Sequence, residues 1–134
     1  MIKNVKYRGK RIEDGEWVYG SLTLFESGQA FISNQKVKPS DSYAFTYEVI
    51  SETVGMLLDI KAQDGGDIFQ GDLICSDAEV DGEMSTSYLP IVYENAAFWL
   101  DESFSKDGSY LTLLVEWDEP LKVGGNIHDN PELL

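Results

Sequence analysis

At 134 residues and 43% apolar content, the chain is long enough for one water-excluding core and too short for two full-sized domains. A formal charge of −14 excludes a conventional nucleic-acid surface, because phosphate contacts need clustered Lys and Arg. One cysteine, Cys75, and one histidine, His128, exclude an internal disulfide and a Cys/His zinc site built from a single chain.

The opening residues lack the apolar stretch of a secretory signal, and no later run is long enough to span a bilayer, so a cytoplasmic protein without a membrane partner is expected. Lys3, Lys6, Arg8, Lys10 and Arg11 are half of all the basic residues, and no acid precedes Glu13. Side chains give +5 over residues 1–11 and −19 over residues 12–134, five Lys against 24 acids. A basic strand on so acidic a body is expected to dock on acidic surface of its own chain or of a neighbouring subunit.

Residues 17–25 and 29–33, joined by Glu26-Ser27-Gly28, read as a hairpin with Leu22, Leu24 and Phe31 on one face. Residues 43–50 carry strand formers, and 54–60 with 67–75 flank a Gly-rich turn as a second pair. Residues 88–93 and 97–100 follow as strands, with Pro90 placing the first at an edge or its start. Over residues 109–117 the alternation puts Leu111, Leu113, Val115 and Trp117 on a core face. Between the runs stand Asp14-Gly15, Ser27-Gly28, Asp64-Gly65, Asp81-Gly82 and Asp107-Gly108, dipeptides that reverse a chain tightly. No capped window shows a helical period. The fold class is therefore mainly β, with small barrel-like or curled antiparallel sheets and little helix, as one β-rich domain over residues 1–134. Trp17, Trp99 and Trp117 read as its core anchors.

Candidate chemistry is sparse. Asp77, Glu79 and Asp81 with Gly82 imitate the first half of a calcium loop, but Tyr88 stands where the bidentate Glu belongs; the competing reading is a solvated acidic hairpin. Asp64, Asp67 and Asp72 supply either acid/base carboxylates or turn caps. His128 and Cys75 supply either a catalytic pair or two structural groups. No phosphate loop or cofactor signature occurs, so no cofactor, metal or catalytic residue is assigned. Asn130-Pro131 fits the start of a single helical turn whose Leu133 and Leu134 need cover, from the chain itself or from a partner.

Three stretches carry a family likeness. They are residues 2–10 leading into Gly15-Glu16-Trp17-Val18-Tyr19-Gly20-Ser21-Leu22; Glu52-Thr53-Val54-Gly55 followed by residues 64–74; and the closing Gly125-Asn126-Ile127-His128-Asp129-Asn130-Pro131-Glu132-Leu133-Leu134. Together they resemble the YopX-like family of phage and prophage proteins. Met56-Leu57-Leu58-Asp59-Ile60 departs from that family's polar pattern, as does Lys61-Ala62-Gln63 from its charged one. The resemblance implies a β-rich fold, a bacterial host, self-association, and no catalytic residue that can be carried over.

Three functions follow as alternatives. The first is an accessory protein that binds itself or a host or phage protein with a basic surface, through the basic segment named above and Leu133 and Leu134. The second is an acidic nucleic-acid mimic that occupies a basic DNA-binding groove. The third is an enzyme with an acidic site in a concave pocket.

Overall fold

The computed structural model describes residues 6–34, 45–102, 111–117 and 119–134. They belong to two compact units, Met1–Leu57 and Leu58–Leu134. The elements are antiparallel strands, and among the described residues helix is confined to short 3-10 turns. Four of the five reversing dipeptides place glycine in the left-handed region, φ 73° to 91°, where a Cβ is disfavoured; Asp107-Gly108 lies outside the described residues.

In the first unit β1 (Tyr7–Lys10), β2 (Trp17–Leu24), β3 (Ala30–Ser33), β4 (Thr46–Val49) and the start of β5 (Gly55–Lys61) run in the order β4-β3-β2-β1-β5. The expected hairpin is β2–β3, with Leu22 opposite Ile32 and Leu24 opposite Ala30. Phe31 is opposite Thr23 and so lies on the other face from Leu22 and Leu24, contrary to the alternation read from sequence. It packs edge-on against Phe25, centroids 5.4 Å apart. Ala30, Ile32 and Val49 are the buried centre, with Tyr7, Val18, Leu22 and Val54 packed around them.

The sheet curls until β4 meets the end of β1. Arg11 and Val49 form one isolated bridge, the Ile12 N–H donates to the Glu48 carbonyl at 3.1 Å, and the Ile50 N–H donates to the Lys10 carbonyl at 2.8 Å. One bridge is not a ladder, so the sheet is curled and not closed into a barrel. Two close approaches make this curl possible. A Cβ on Gly9 would lie 3.1 Å from Ile32 and Val49, and one on Gly20 would lie 1.9 Å from the Ser33 carbonyl oxygen.

Past Leu57, β5 pairs with β6 (Asp67–Phe69) around the 62–66 turn. Residues 67–75 are not one strand: Gln70-Gly71 breaks them, with Gly71 at φ 93°, before β7 (Asp72–Val80) begins. The second sheet follows as β7, β8 (Glu83–Glu94), β9 (Ala97–Asp101), β10 (Leu111–Leu113) and β11 (Val123–Asn126), in the order β10-β9-β8-β7-β11. Leu58, Ile68, Ile74, Leu89, Ile91, Leu100 and Leu114 form its core, with Trp117 packed against them.

Two further expectations in this unit are corrected. Pro90 sits inside β8 rather than at its start, opposite Leu73 where the β7 ladder ends and one residue before the β9 ladder begins. The missing N–H thus falls at a hand-over between partners. The expected strand to Trp117 stops at Leu113 and becomes a 3-10 turn, Leu114–Glu116. That turn shifts the side-chain phase, so Leu114, from the opposite set, enters the core.

Candidate functional site

The two units divide the charge completely. Residues 1–57 hold seven acids against seven Lys and Arg, whereas residues 58–134 hold 17 acids against three Lys and carry the whole −14.

The basic strand lies in the neutral unit, and aromatic rings face it. Lys10 pairs with Trp17 and Arg8 with Tyr19 across β1–β2, which places the cations and the rings on one sheet face. Arg8 lies 4.6 Å from the Trp17 ring centroid, Lys10 5.4 Å from the same ring, and Lys6 5.8 Å from Tyr19. Arg11 stands 4.4 Å from the centre of Tyr47, while its guanidinium also binds Glu13 at 2.7 Å and Asp14 at 3.3 Å. Contacts of this kind stabilise by about 0.5–1 kcal/mol when exposed and ~2 kcal/mol when desolvated. Arg8 is the desolvated member, 6% exposed. Lys3 lies outside the described residues.

The sequence marked the cations and missed their rings. The signal was present, because Trp17 and Tyr19 are spaced by two like Lys6, Arg8 and Lys10. Trp17 is accordingly a platform on the opposite face from the core of its unit. Trp99 is half-buried, its Nε1 donating to the Glu94 carbonyl at 2.8 Å.

The acidic stretch of residues 77–83 is a hairpin, as the blander of its two readings has it. Asp81 and Gly82 sit at φ 52° and 82°, values that suit the tight turn joining two twisted strands. Outward from Ser76↔Ser87 to Val80↔Glu83, β7 and β8 pair only with each other among the described residues. The β11 ladder stops at Ile74, and β9 pairing starts at Ile91. Residues 76–87 are therefore a two-stranded arm on which Val80 is 41% and Met84 71% exposed. Asp77 and Glu79 share one arm face, with Thr86 and Met84 opposite them. The Thr86 hydroxyl donates to Asp77 at 2.6 Å.

Asp64, Asp67 and Asp72 act within their own turns. Asp64 Oδ1 accepts from the Gly66 N–H at 2.9 Å, Asp67 forms an ion pair with Lys61, and buried Asp72 accepts from the Phe69 N–H at 2.8 Å. Cys75 lies under a bulge in β11: the register shifts between Val123 and Gly125, and a Cβ on Gly124 would lie 2.4 Å from its sulfur. Burial pushes the Cys75 thiol above its ordinary pKa; the Lys122 cation pulls it part of the way back, and the Asp77 carboxylate pushes it up again.

The closing segment binds itself. Asn126 Oδ1 accepts from the N–H groups of His128 and Asp129 at 3.0 and 2.9 Å, and its Nδ2 donates to Asp129 Oδ2 at 3.0 Å. Asn130 uses its side chain to accept from the Asn126 N–H at 3.1 Å rather than to cap the 3-10 turn Pro131–Leu133 that follows. Gly125 is required there because a Cβ would meet Asn130 Oδ1 at 2.5 Å. Leu133 is half-buried, and Leu134 is 42% exposed.

The YopX protein family model matches residues 6–134. The crystal structure of protein yopX from Bacillus subtilis is similar over 96% of this chain and 97% of its own, with a TM-score of 0.57 and 19% identity. Protein EF1440 from Enterococcus faecalis covers 98% of each chain, with a TM-score of 0.56 and 22% identity. At these identities the likeness is one of fold. No curated protein matches the sequence.

Proposed function

The chain belongs to the YopX family, and from that premise we propose that it is a phage or prophage accessory protein that works by binding another protein. The observation that carries this reading is the charge partition: a neutral unit whose cations stack on rings, and a second unit that holds the entire −14. A surface of one sign draws an oppositely charged partner from a distance and speeds encounter more than it tightens the final complex. The partner is a protein with a basic face, and the residues that meet it lie in 58–134.

A zero-length carbodiimide, which joins carboxylates to lysines, tests this in lysogenic cells. Links should run from carboxylates of residues 58–134 to the lysines of one protein and weaken steeply with added salt. Links confined to residues 1–57, or indifferent to salt, refute the reading. A nucleic-acid mimic rests on the same charge partition and differs in one outcome: duplex DNA would then compete the chain off its partner.

A further inference from the structure

We propose that the outer edge of β7 on the acidic arm is a strand-docking site, and that its occupant is an extended, lysine-bearing segment of a partner protein. This rests on the binding function proposed above and assigns it a place and a geometry.

In an antiparallel ladder alternate residues of each strand turn their N–H and C=O groups away from the partner. Along residues 76–80 those groups face no other described strand, which makes the edge a template for an added one. Edges left open in soluble proteins are blunted by charged side chains, Lys above all, by Pro or by a bulge. Residues 76–87 contain no Lys and no Pro, and their register runs without a shift. What they carry is Asp77, Glu79, Asp81 and Glu83, with no cation among them.

Those charges select the occupant. Two arms pairing edge to edge would bring like carboxylates together, so a second copy of the same edge is repelled. A strand with Lys at alternate positions is attracted, because directly opposed side chains share a face and would meet Asp77 and Glu79 in turn.

The test uses the full chain and an eight-residue peptide of alternating lysine and threonine, blocked at both ends. Amide resonances of residues 76–80 should shift on titration. Affinity should fall at least about ten-fold, roughly 1.4 kcal/mol, in the triple variant D77N/E79Q/E83Q and with a peptide N-methylated on its pairing edge. Equal binding of the N-methylated peptide overturns strand addition. An unaffected triple variant, or shifts mapped to other carboxylates of residues 58–134, overturns the assignment to the arm and leaves the wider binding function standing. A concentration-dependent dimer that the triple variant abolishes overturns the choice of occupant. No binding of the cationic peptide at about 1 mM and low salt, a limit near −4 kcal/mol, overturns the strand-docking site and leaves the wider binding function to the cross-linking test.

Discussion

A single methyl group at residue 124 should unsettle the second unit. Gly124→Ala places its Cβ 2.4 Å from the Cys75 sulfur and 2.9 Å from Tyr88 Cε1, where real carbon contacts do not occur. Cys75 lies on a strand fixed by ladders to β8 and β11, so it can yield only by rotating or by pushing the bulge outward. Overpacking of this kind costs about 1–3 kcal/mol. Cys75→Ala alone should cost ~1 kcal/mol, since it removes one half-buried thiol. In the double variant the shortest clash is gone and only the Tyr88 ring must swing. The pair should therefore couple by about 1 kcal/mol or more in the favourable direction, as contacting residues do. Urea unfolding followed by tryptophan fluorescence and by circular dichroism reads the cycle, and each lost kcal/mol should lower the melting midpoint by ~4–8 °C for a unit of this size. Additivity of the two substitutions within about 0.3 kcal/mol would refute the packing argument.

Ala96 occupies the left-handed region at φ 60° in the β8–β9 turn, so Ala96→Gly should raise stability by about 0.5–1 kcal/mol; a lower melting midpoint would contradict the turn geometry. Asn126→Ala deprives two backbone N–H groups of their acceptor and should cost about 1–2 kcal/mol, with faster hydrogen exchange at His128 and Asp129 as the local readout. Because the folded chain holds the Cys75 proton more tightly than the unfolded one, that thiol carries no penalty below its ordinary pKa, and stability falls as pH rises through the raised value. Alkaline unfolding curves should show this fall in the parent chain and a shallower one in Cys75→Ala. The alkylation profile of Cys75 should be displaced to higher pH than that of a free thiol.

The hairpin of residues 17–33 was legible because β-branched and aromatic runs flank a Ser-Gly turn, and both strands lie where that pattern puts them. Its pairing was not. Whether Phe31 or Ile32 faces the core depends on which residue stands opposite Leu22, and turn length sets that register more strongly than composition does. Pro90 misled for a related reason: a strand can lose one N–H in its interior if its two neighbours divide its length, a fact about β7 and β9 that residues 88–93 do not contain. The Asn95-Ala96 turn carried no glycine and gave no dipeptide signal, although Asn tolerates positive φ. Alternation around Leu114 failed where a 3-10 turn replaced the strand. The basic strand was visible as charge, but its rings emerge only once β1 and β2 are side by side. Among the described residues buried apolar side chains form a cluster in each unit, a division that composition averaged over the chain conceals.

The arm has a bearing on how sequences of this fold can diverge. Its outermost rungs carry none of the core packing, so losing or gaining one matched residue pair on each strand would change its reach by roughly 6–7 Å and keep every side chain facing its original way. An odd step would invert the alternation and carry the carboxylates to the reverse side. Relatives should therefore vary in this hairpin by multiples of four residues, while Leu73, Ile74 and Leu89 at its root keep their places.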